Sequence, residues 1–476
     1  MNASARTSDI LTYSLYSGDA TSQHTFELAR ILALAGLRPT VHSNFAPRDL
    51  PRDMGPVARC DSYASYVPRA DLTILQYPLW FPLAERFRTA PGARLFWYHG
   101  VTPPEHWPLP GERDLLRTSQ IRTELANYAH LAVAASPFTA NELSTHSGYP
   151  SERIRVVPLG VDTSVFSWRP QADVIEDLRK QWGLNHKRVV LYVGRIAGNK
   201  RIDVIIDALA DLQHELPELH LLIVGDNQDG VATQVLADEL RHRAHERGVS
   251  ERVTFTGRVR DITPYYHLAD VFVLPSEHEG FGVPLVEAMA AGVPVLASAS
   301  GAMPWLLGAM DVDVGIADAE SAGLLFAPGS VAQLRVLLAA VLSRSDLRSR
   351  LITAGRKRAQ HFDLQTFRVR AALIMFEAME MQHAGIPTPS ANQHHSPLYD
   401  GADIVQRDFA VRSRLPVLGR YIARARASAT VHMKEAYFDR VMEQQLSFNR
   451  ALAGAAETLT QKLGAVGEHG TDREPR

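Results

Sequence analysis

The most constraining feature of the sequence is a repeated alternation of short apolar runs with amphipathic stretches. The apolar runs are Ile10–Tyr16, Asp71–Tyr77, Arg94–His99 and Leu131–Ser136 in the first half, and Arg188–Gly194, His220–Gly225, Val253–Gly257, Val271–Ser276 and Pro294–Ser298 in the second. Such short runs, rich in β-branched residues, are typical of parallel strands covered on both faces. Stretches between them, such as Asp203–Leu212 and Val235–Arg247, have helical periodicity. This alternation predicts an α/β fold with doubly wound sheets.

The alternation is interrupted once, and the interruption divides the chain into two predicted domains. Residues 155–166 (RVVPLGVDTSVF) mix turn-forming and extended residues, which indicates a linker. We therefore predict one Rossmann-like domain over residues 1–165 and a second over residues 166–360, which agrees with a length of 476 residues. Two open α/β domains that face each other form a cleft, and ligands bind there outside the carboxyl ends of the strands.

The last part of the chain departs from the α/β pattern. Residues 385–406 are rich in proline and polar residues, which favours a flexible connector. Residues 407–476 predict a mostly helical extension that is basic over 407–440, then has heptad-like apolar spacing, and ends in a disordered segment. We interpret the basic part as the solvated face of a packing helix, with peripheral contact to an anionic membrane as the alternative. The heptad-like part favours homo-oligomerisation or docking onto the chain itself.

Charge and cysteine content exclude several classes of function. The net charge is −2, so nothing in the composition favours nucleic-acid binding. The single cysteine, Cys60, excludes an internal disulfide and a cysteine-rich metal site. The N-terminus has no signal-peptide pattern, and no apolar run approaches the ~20 residues that a membrane-spanning helix needs. We therefore expect a cytoplasmic protein, either free or at the inner face of the membrane.

The most informative stretch is residues 277–297, EHEGFGVPLVEAMAAGVPVLA. A strand ends just before it, a turn with Gly280 and Gly282 follows, and a short helix is predicted from Pro284 to Ala291. A glycine turn at a helix N-terminus presents free N–H groups and the positive end of the helix dipole, and its glycines let a ligand approach the backbone closely. This arrangement predicts a phosphate-binding site.

Two carboxylates in this stretch have separate predicted positions. Glu279 is on the turn at the mouth of the cleft, and Glu287 is about one turn into the helix. A carboxylate in the second position can accept hydrogen bonds from both hydroxyls of a ribose, as acidic residues do in dinucleotide-binding folds. From these residues alone, the alternative is an ordinary strand–helix turn with acids at the surface.

The same stretch closely resembles the E-x7-E signature of the family 4 retaining glycosyltransferases, with Glu279 and Glu287 as the two acids. Further segments resemble this family in the same order along the chain: VVPLGVD at 156–162, VGRIAGNK at 193–200, LIVGD at 222–226, VTFTGRV at 253–259 and YHLADVFVLPS at 266–276. The resemblance implies a GT-B fold, in which two doubly wound Rossmann-like domains face each other across a cleft. The first domain would take the acceptor, the second would bind the nucleotide-sugar donor, and residues 361–384 would form a helix that packs back on the first domain.

Donor-binding roles follow from the resemblance residue by residue. Arg195 and Lys200 would hold the diphosphate and stabilise the negative charge of the leaving group, so no metal is expected. Glu279 would contact hydroxyls of the donor sugar, and Glu287 would contact the ribose. Backbone groups of the turn would complete the cradle for the phosphates and the sugar, at Gly280, Phe281, Gly282 and Val283.

Three further site residues come from the same resemblance. Gly18 lies in the loop after the first strand, where the family places small residues beside the diphosphate, although Asp19 stands where a second glycine is common. Val259 would meet the base through its main chain. His99, in the segment FWYHGVTP at 96–103, would contact the transferred sugar or stabilise the transition state. From its position alone, His99 would be a structural residue at a strand end.

The resemblance implies a metal-independent enzyme that moves a hexose-type sugar from a UDP- or GDP-sugar to an acceptor in glycan biosynthesis. The acceptor would be a saccharide, a lipid-linked glycan or another molecule, and no cofactor is expected because the nucleotide-sugar is a substrate. One alternative is another GT-B enzyme, either a phosphorylase or a nucleotide-sugar epimerase. The second alternative is a catalytically degenerate transferase that acts as a partner subunit.

Overall fold

The part of the protein that the computed structural model describes contains two parallel β-sheets, and each sheet is formed by its own half of the chain. This part comprises residues 6–16, 20–47, 57–59, 66–107, 109–226, 231–308 and 321–392. The predicted connector beyond residue 392, the predicted extension over 407–476, and Gly18 lie outside the described residues. Within the described residues, no helix is both long and apolar enough to cross a membrane.

The first sheet has seven described strands, all parallel. They are β1 (Thr7–Thr12), β2 (Arg38–Ser43), β3 (Val57–Arg59), β4 (Leu72–Tyr77), β5 (Ala93–Tyr98), β6 (Leu131–Ala134) and β7 (Ile154–Val156). The order across the sheet is β3-β2-β1-β4-β5-β6-β7, so the direction of winding reverses between β1 and β4. The helices of this half are α1 (Ala20–Leu34), α2 (Pro110–Ile121) and α3 (Pro137–Ser147). A reversal of this kind opens a crevice at the carboxyl ends of the strands.

The second sheet has six described strands in the order β10-β9-β8-β11-β12-β13, again all parallel. They are β8 (Arg188–Val193), β9 (Leu219–Val224), β10 (Val253–Gly257), β11 (Val271–Leu274), β12 (Val295–Ser298) and β13 (Leu324–Phe326). The helices that accompany it are α4 (Thr163–Ser167), α5 (Ala172–Gln181), α6 (Ile202–Asp211), α7 (Val231–Glu246), α8 (Thr263–Leu268), α9 (Val283–Ala291), α10 (Met303–Leu307), α11 (Val331–Ser343) and α12 (Ser345–Ala359). The last described α-helix is α13 (Leu364–His383).

The first sheet is buried on both faces, which is the reason its strands read as continuous apolar runs. Leu95 and Trp97 of β5 belong to one apolar cluster, which includes residues of α1 and α13. Phe96 and Tyr98 of the same strand belong to a second cluster on the other face. Because successive side chains of a strand point to opposite faces, both sets of residues must be apolar. The prediction of doubly wound parallel sheets is therefore confirmed.

The strands that the sequence did not predict lie mostly at sheet edges. β3, β7 and β13 have three residues each, and β2 contains Pro39 and His42. Runs this short or this polar have no periodic signal. β7 lies partly inside residues 155–166, which the sequence assigns to the linker, and α4 also begins there. Val156 pairs with Ala134 in the β6–β7 register, and the Val157 N–H donates to the Ala134 carbonyl at 2.9 Å. These contacts hold the stretch as an edge strand.

Two segments that pass between the halves of the chain lie side by side. Val161 forms an isolated parallel bridge with Asp363. The Val161 N–H donates to the carbonyl of Phe362 at 2.9 Å, and the Leu364 N–H donates to the carbonyl of Val161 at 2.9 Å. After this bridge, α13 buries Phe367, Ile374 and other apolar residues in the cluster that also contains Trp97. A helix late in the sequence thereby closes one face of the first sheet.

The close packing of the linker on α13 gives a testable prediction. A Cβ atom added at Gly160 would lie 2.6 Å from the Cβ atom of Phe367, so we expect Gly160→Ala to lower the free energy of unfolding by about 1–3 kcal/mol through overpacking. Gly111→Ala is the matched control, because nothing lies within 4 Å of a Cβ atom added there. Urea unfolding of both variants measures the difference, and equal midpoints would contradict this packing of α13.

Candidate active site

The backbone that follows the carboxyl end of the first sheet is in close contact with a turn of the second. A Cβ atom added at Gly280 would lie 2.4 Å from the carbonyl oxygen of His99, which directly follows β5. The hydroxyl of Ser136, the N-cap residue of α3, donates to the Gly280 carbonyl at 2.8 Å. The turn that precedes α9 therefore rests on the end of β5 and the start of α3, and only glycine fits at position 280.

A buried hydrogen-bonded pair lies beside this contact. His278 Nε2 donates to Glu142 Oε1 at 2.9 Å, and the Tyr98 hydroxyl donates to Glu142 Oε2 at 2.8 Å. The His278 and Glu142 side chains are only 8% and 10% exposed, so water competes little for these bonds. Glu142 on α3 thus joins the end of the first sheet to the turn of the second.

The loop after β5 makes a third connection between the halves. A Cβ atom added at Gly198 would lie 1.9 Å from the carbonyl oxygen of His106, and His106 Nδ1 lies 3.3 Å from Glu277 Oε2. The guanidinium of Arg195 lies over the ring of Trp107, 5.1 Å from its centroid, as in a cation–π interaction. These contacts hold the loop after β5 against the turn after β8.

Lys200 and Glu279 form an ion pair at the carboxyl edge of the second sheet. Lys200 Nζ lies 2.5 Å from Glu279 Oε1, and the Ser276 hydroxyl donates to the same oxygen at 2.9 Å. Both charged side chains are partly buried, at 18% and 11% exposed, so the attraction between them is screened less than on an open surface. One cation and one anion are thereby held together where the sequence predicted separate contacts to diphosphate and sugar.

Backbone and amide contacts bring the two segments that carry this pair together. Asn199 is buried beside Lys200, and its Nδ2 atom donates to the carbonyl of His278 at 3.0 Å. The Glu277 N–H donates to the Asn199 carbonyl at 2.8 Å. The turn after β8 is therefore bonded to the turn after β11, one residue away from each member of the ion pair.

The N-terminus of α9 is suited to an anion. Its N-cap residue is Gly282, which has φ of 96° and gives no side-chain cap. A left-handed N-cap favours glycine. Pro284 has no N–H and the Leu285 N–H donates to the Gly282 carbonyl at 3.0 Å, so Val283 has the N–H of the first turn that lacks a partner within the helix. This group and the helix dipole attract negative charge. The glycine turn at a helix N-terminus is as predicted, and its use for phosphate binding stays a prediction.

Glu287 is buried within α9 and bonded to one tyrosine. The Tyr266 hydroxyl donates to Glu287 Oε2 at 2.6 Å. Burial raises the pKa of Glu287 from 4.5 to about 7, and the hydrogen bond from Tyr266 offsets part of this rise. A second set of donors to this carboxylate, such as vicinal hydroxyls, would favour its ionised form.

His99 lies at the end of β5 as predicted and is held by a glutamine. His99 Nε2 is hydrogen-bonded to Gln76 Oε1 at the end of β4. Burial lowers the pKa of His99 to about 4, so its imidazole is neutral near neutral pH. A neutral imidazole can donate from one nitrogen and accept at the other.

The remaining predicted site residues are spread around this centre. Arg195 is exposed and stacks on Trp107, so it does not contact the Lys200–Glu279 pair as a second cation. The Phe281 ring is buried against Phe362 at 5.5 Å, and Val259 packs partly buried against the core of the second sheet. Val283 begins α9, and Gly18 lies outside the described residues. The ligand-binding roles assigned to all of these residues stay predictions.

Several residues that build the site were not identified from the sequence. Gln76 had a signal, because it is the one amide in the apolar run LTILQY of β4. Tyr266 and Ser276 lie within segments that resemble the family, but nothing in the pattern shows that they contact the two acids. Glu142 is a single acid on an ordinary helix, so no sequence pattern distinguishes it.

Two family sequence models match the chain one after the other. The family described as Glycosyltransferase Family 4 matches residues 21–165, and the family described as Glycosyl transferases group 1 matches residues 174–358. The second match contains Arg195, Lys200, Glu279 and Glu287, and the first contains His99.

Curated relatives match over only part of their length. The chain is 34% identical over 191 residues to mannosylfructose-phosphate synthase of Agrobacterium fabrum. It is 33% identical over 242 residues to the GDP-mannose-dependent alpha-(1-6)-phosphatidylinositol monomannoside mannosyltransferase of Mycobacterium tuberculosis. These matches cover 39% and 48% of this chain, and 41% and 59% of the two relatives. The chain therefore spans about half the length of the curated relatives it matches.

Solved structures match over nearly their whole length. The crystal structure of Anabaena HepE in complex with UDP and glucose superposes with a TM-score of 0.64 at 22% identity. The superposition covers 78% of this chain and 99% of that chain. This likeness concerns the fold, and it confirms the predicted GT-B arrangement of two doubly wound domains.

The buried carboxyl of Glu287 gives a prediction for pH-dependent stability. The folded protein binds this proton more tightly than the unfolded chain does, so its contribution to stability is full below pH 4.5 and is lost as pH rises towards 7. Glu287→Gln removes the ionisation, so at about pH 8 it should be more stable than the parent by at most about 3 kcal/mol. At about pH 5 the gain should be much smaller. Urea unfolding at both pH values measures it.

An exposed glutamate provides the control for this prediction. Glu251→Gln changes the same functional group at an exposed position, so its effect on the free energy of unfolding should not vary in this way with pH. If Glu287→Gln and Glu251→Gln gave parallel stability curves, the raised pKa of Glu287 would be refuted.

Proposed function

The chain belongs to the glycosyltransferases of family 4 and group 1, and from this membership we propose that it is a retaining hexosyltransferase that uses a UDP- or GDP-sugar. The observation that carries the proposal is the partly buried pair of Lys200 and Glu279 beside the uncapped N-terminus of α9. Glu287 lies behind it on the same helix. A cation, a backbone N–H at the positive end of a helix and two carboxylates match the partners that a nucleotide diphosphate and its two sugar rings require.

In the proposed complex the diphosphate lies between Lys200 and the first turn of α9. Departure of the nucleotide builds negative charge on the phosphate oxygens, and a fixed ammonium group with aligned N–H groups stabilises that charge. Exposed Arg195, two residues after the end of β8, adds a second cation to this proposed site. This charge stabilisation comes from groups of the chain itself, so the proposed reaction is independent of a metal ion.

The two carboxylates divide the recognition of the donor. Glu279 accepts hydroxyls of the transferred sugar with the oxygen that is not bonded to Lys200 and Ser276. Glu287 accepts the ribose hydroxyls, and these bonds favour the ionised form of a carboxyl whose pKa burial has raised to about 7. Main-chain groups near Val259 contact the base, and those of Gly280 to Val283 contact the phosphates and sugar.

His99 contacts the transferred sugar from the opposite side of the cleft. Support comes from the position of its carbonyl against Gly280, which brings it to the turn that carries Glu279. We propose that leaving and attacking groups use the same face of the sugar, and that the departing phosphate oxygen takes the proton of the acceptor hydroxyl. No side chain is then required as a nucleophile, and the configuration is retained.

The proposed acceptor is a glycan or a lipid-linked glycan, at the cytoplasmic face of the membrane in the second case. Support for a lipid-linked acceptor is the basic sequence over residues 407–440 and the phosphatidylinositol monomannoside in the name of the Mycobacterium tuberculosis relative. The heptad-like spacing that follows supports homo-oligomerisation. Both uses of residues 407–476 are proposals.

A screen of nucleotides tests the transferase proposal. We expect UDP or GDP, but not ADP, to raise the melting temperature, because a ligand that binds only the folded state stabilises it by an amount that grows with the logarithm of its concentration relative to Kd. The nucleotide that binds identifies the donor base, and its sugars can then be assayed for transfer. If none of the three nucleotides shifted the melting temperature, the proposal would fail in favour of a partner subunit that has lost its activity.

Lys200→Ala tests the role of the ammonium group. Removal of one preorganised donor to developing charge typically slows turnover by ~10²–10³-fold, so kcat should fall by about that factor while Glu287→Ala mainly weakens nucleotide binding. Lys180→Ala is the control, because Lys180 is an exposed lysine on α5 paired with Glu176. Full activity of Lys200→Ala would refute the assigned role in leaving-group stabilisation.

A further inference from the structure

One buried glutamine lies between two histidines at the carboxyl edge of the first sheet. Gln76 on β4 is in register with Trp97 on β5, and His99 follows two residues after Trp97. Side chains alternate along a strand, so Gln76, Trp97 and His99 project to the same face, where α1 supplies His24. Gln76 Oε1 is hydrogen-bonded to His99 Nε2, and Gln76 Nε2 lies 3.0 Å from His24 Nδ1.

The hydrogen bond to the amide oxygen fixes the protonation of His99. An amide oxygen can only accept, so His99 must carry its proton on Nε2 to donate to Gln76. His24 Nδ1 lies within hydrogen-bond distance of both polar atoms of the amide, 3.2 Å from Oε1 and 3.0 Å from Nε2, so it bonds to Gln76 in either tautomer. No other described residue hydrogen-bonds to His99 Nδ1, and the side chain is partly exposed. The lone pair of Nδ1 is therefore available to a ligand.

We propose that Gln76 and His24 are positioning residues that hold His99 as the neutral Nε2–H tautomer and present its Nδ1 atom to the donor sugar as a hydrogen-bond acceptor. The tautomer itself is a property of the unliganded protein. Its use in catalysis rests on the transferase function proposed above. His99 in this form accepts from a sugar hydroxyl, and it carries no charge that would oppose the positive charge developing on the sugar as the phosphate departs.

Ring packing holds the three side chains of His24, Gln76 and His99, the histidine relay, in place. The centroid of the His24 ring lies 4.7 Å from that of Trp97, 5.1 Å from that of His99 and 5.1 Å from that of Phe367. Phe367 belongs to α13, so the helix that returns from the second half of the chain covers the relay. Burial lowers the pKa of His24 well below its usual range, so both histidines are neutral near neutral pH. Among the other described residues, His24 is the one titratable side chain that hydrogen-bonds to Gln76 or has its ring against His99.

Nitrogen-15 NMR of histidine-labelled full-length protein tests the tautomer without any substrate. Two-bond proton–nitrogen correlations distinguish protonated from unprotonated ring nitrogens, and the signals lost in His99→Gln identify His99. We expect a protonated Nε2 and an unprotonated Nδ1 in the parent, and a mixture of tautomers in Gln76→Leu. If the parent carried the proton on Nδ1, or if Gln76→Leu left the tautomer unchanged, the proposal would be overturned.

Gln76→Glu is a second variant that keeps an oxygen against His99 Nε2. The Nε2 proton should be retained, and the carboxylate should raise the pKa of His99, so that Nδ1 also becomes protonated at a higher pH than in the parent. Thr73→Val is the matched control, because Thr73 is equally buried on β4 but projects to the opposite face. Both the tautomer and the pKa of His99 should be unchanged in Thr73→Val.

Kinetics connect the tautomer to transfer once a donor and acceptor have been identified. The free energy of one orienting hydrogen bond corresponds to about a tenfold change in rate. Gln76→Leu should therefore lower kcat about tenfold with little change in the KM for the donor. Thr73→Val should keep the kcat of the parent. A change in KM alone would contradict positioning. The NMR result stands apart from these assays, so failure of the transferase proposal and failure of the tautomer proposal give different results.

Discussion

The approach of the His99 carbonyl to Gly280 is the constraint on which the rest of the site depends. A Cβ atom at position 280 would lie 2.4 Å from that oxygen, so the turn before α9 can rest on the end of β5 only with glycine there. Ser136 fixes the same turn by donating to the Gly280 carbonyl. The distance between His99 and Glu279 is thereby set by backbone contact, which deforms less than a contact between long side chains.

The sequence predicts the positions of the donor-site residues better than the contacts that join them. The strands that carry the donor site are continuous apolar runs, and the glycines, Lys200 and the two acids stand in a spaced string. The ion pair of Lys200 and Glu279 was not predicted, because it joins residues 79 positions apart through contacts that no local pattern records. Edge strands such as β7 were missed for a different reason, since three residues contain too little periodicity to be recognised.

The histidine relay shows what a lone polar residue in an apolar strand can indicate. Gln76 is fully buried, and a buried amide needs partners for both its oxygen and its nitrogen. The run LTILQY therefore predicts a hydrogen-bonded partner but cannot name it, because His24 and His99 are 52 and 23 residues away. His24 on an amphipathic helix has no sequence signal at all, and only the packing of α1 and α13 assigns it a role.

The charges in the donor site determine the order in which its contacts form in the proposed reaction. Lys200 neutralises Glu279 in the unliganded protein, and among the described residues Tyr266 is the one that hydrogen-bonds to the Glu287 carboxylate. A diphosphate carries more charge than one carboxylate and attracts Lys200 more strongly, which weakens the ion pair and adds the second Glu279 oxygen to the one that already accepts from the transferred sugar. The ribose hydroxyls at the same time supply the donors that the buried Glu287 lacks. Full recognition of the sugar by both oxygens of Glu279 therefore follows capture of the diphosphate.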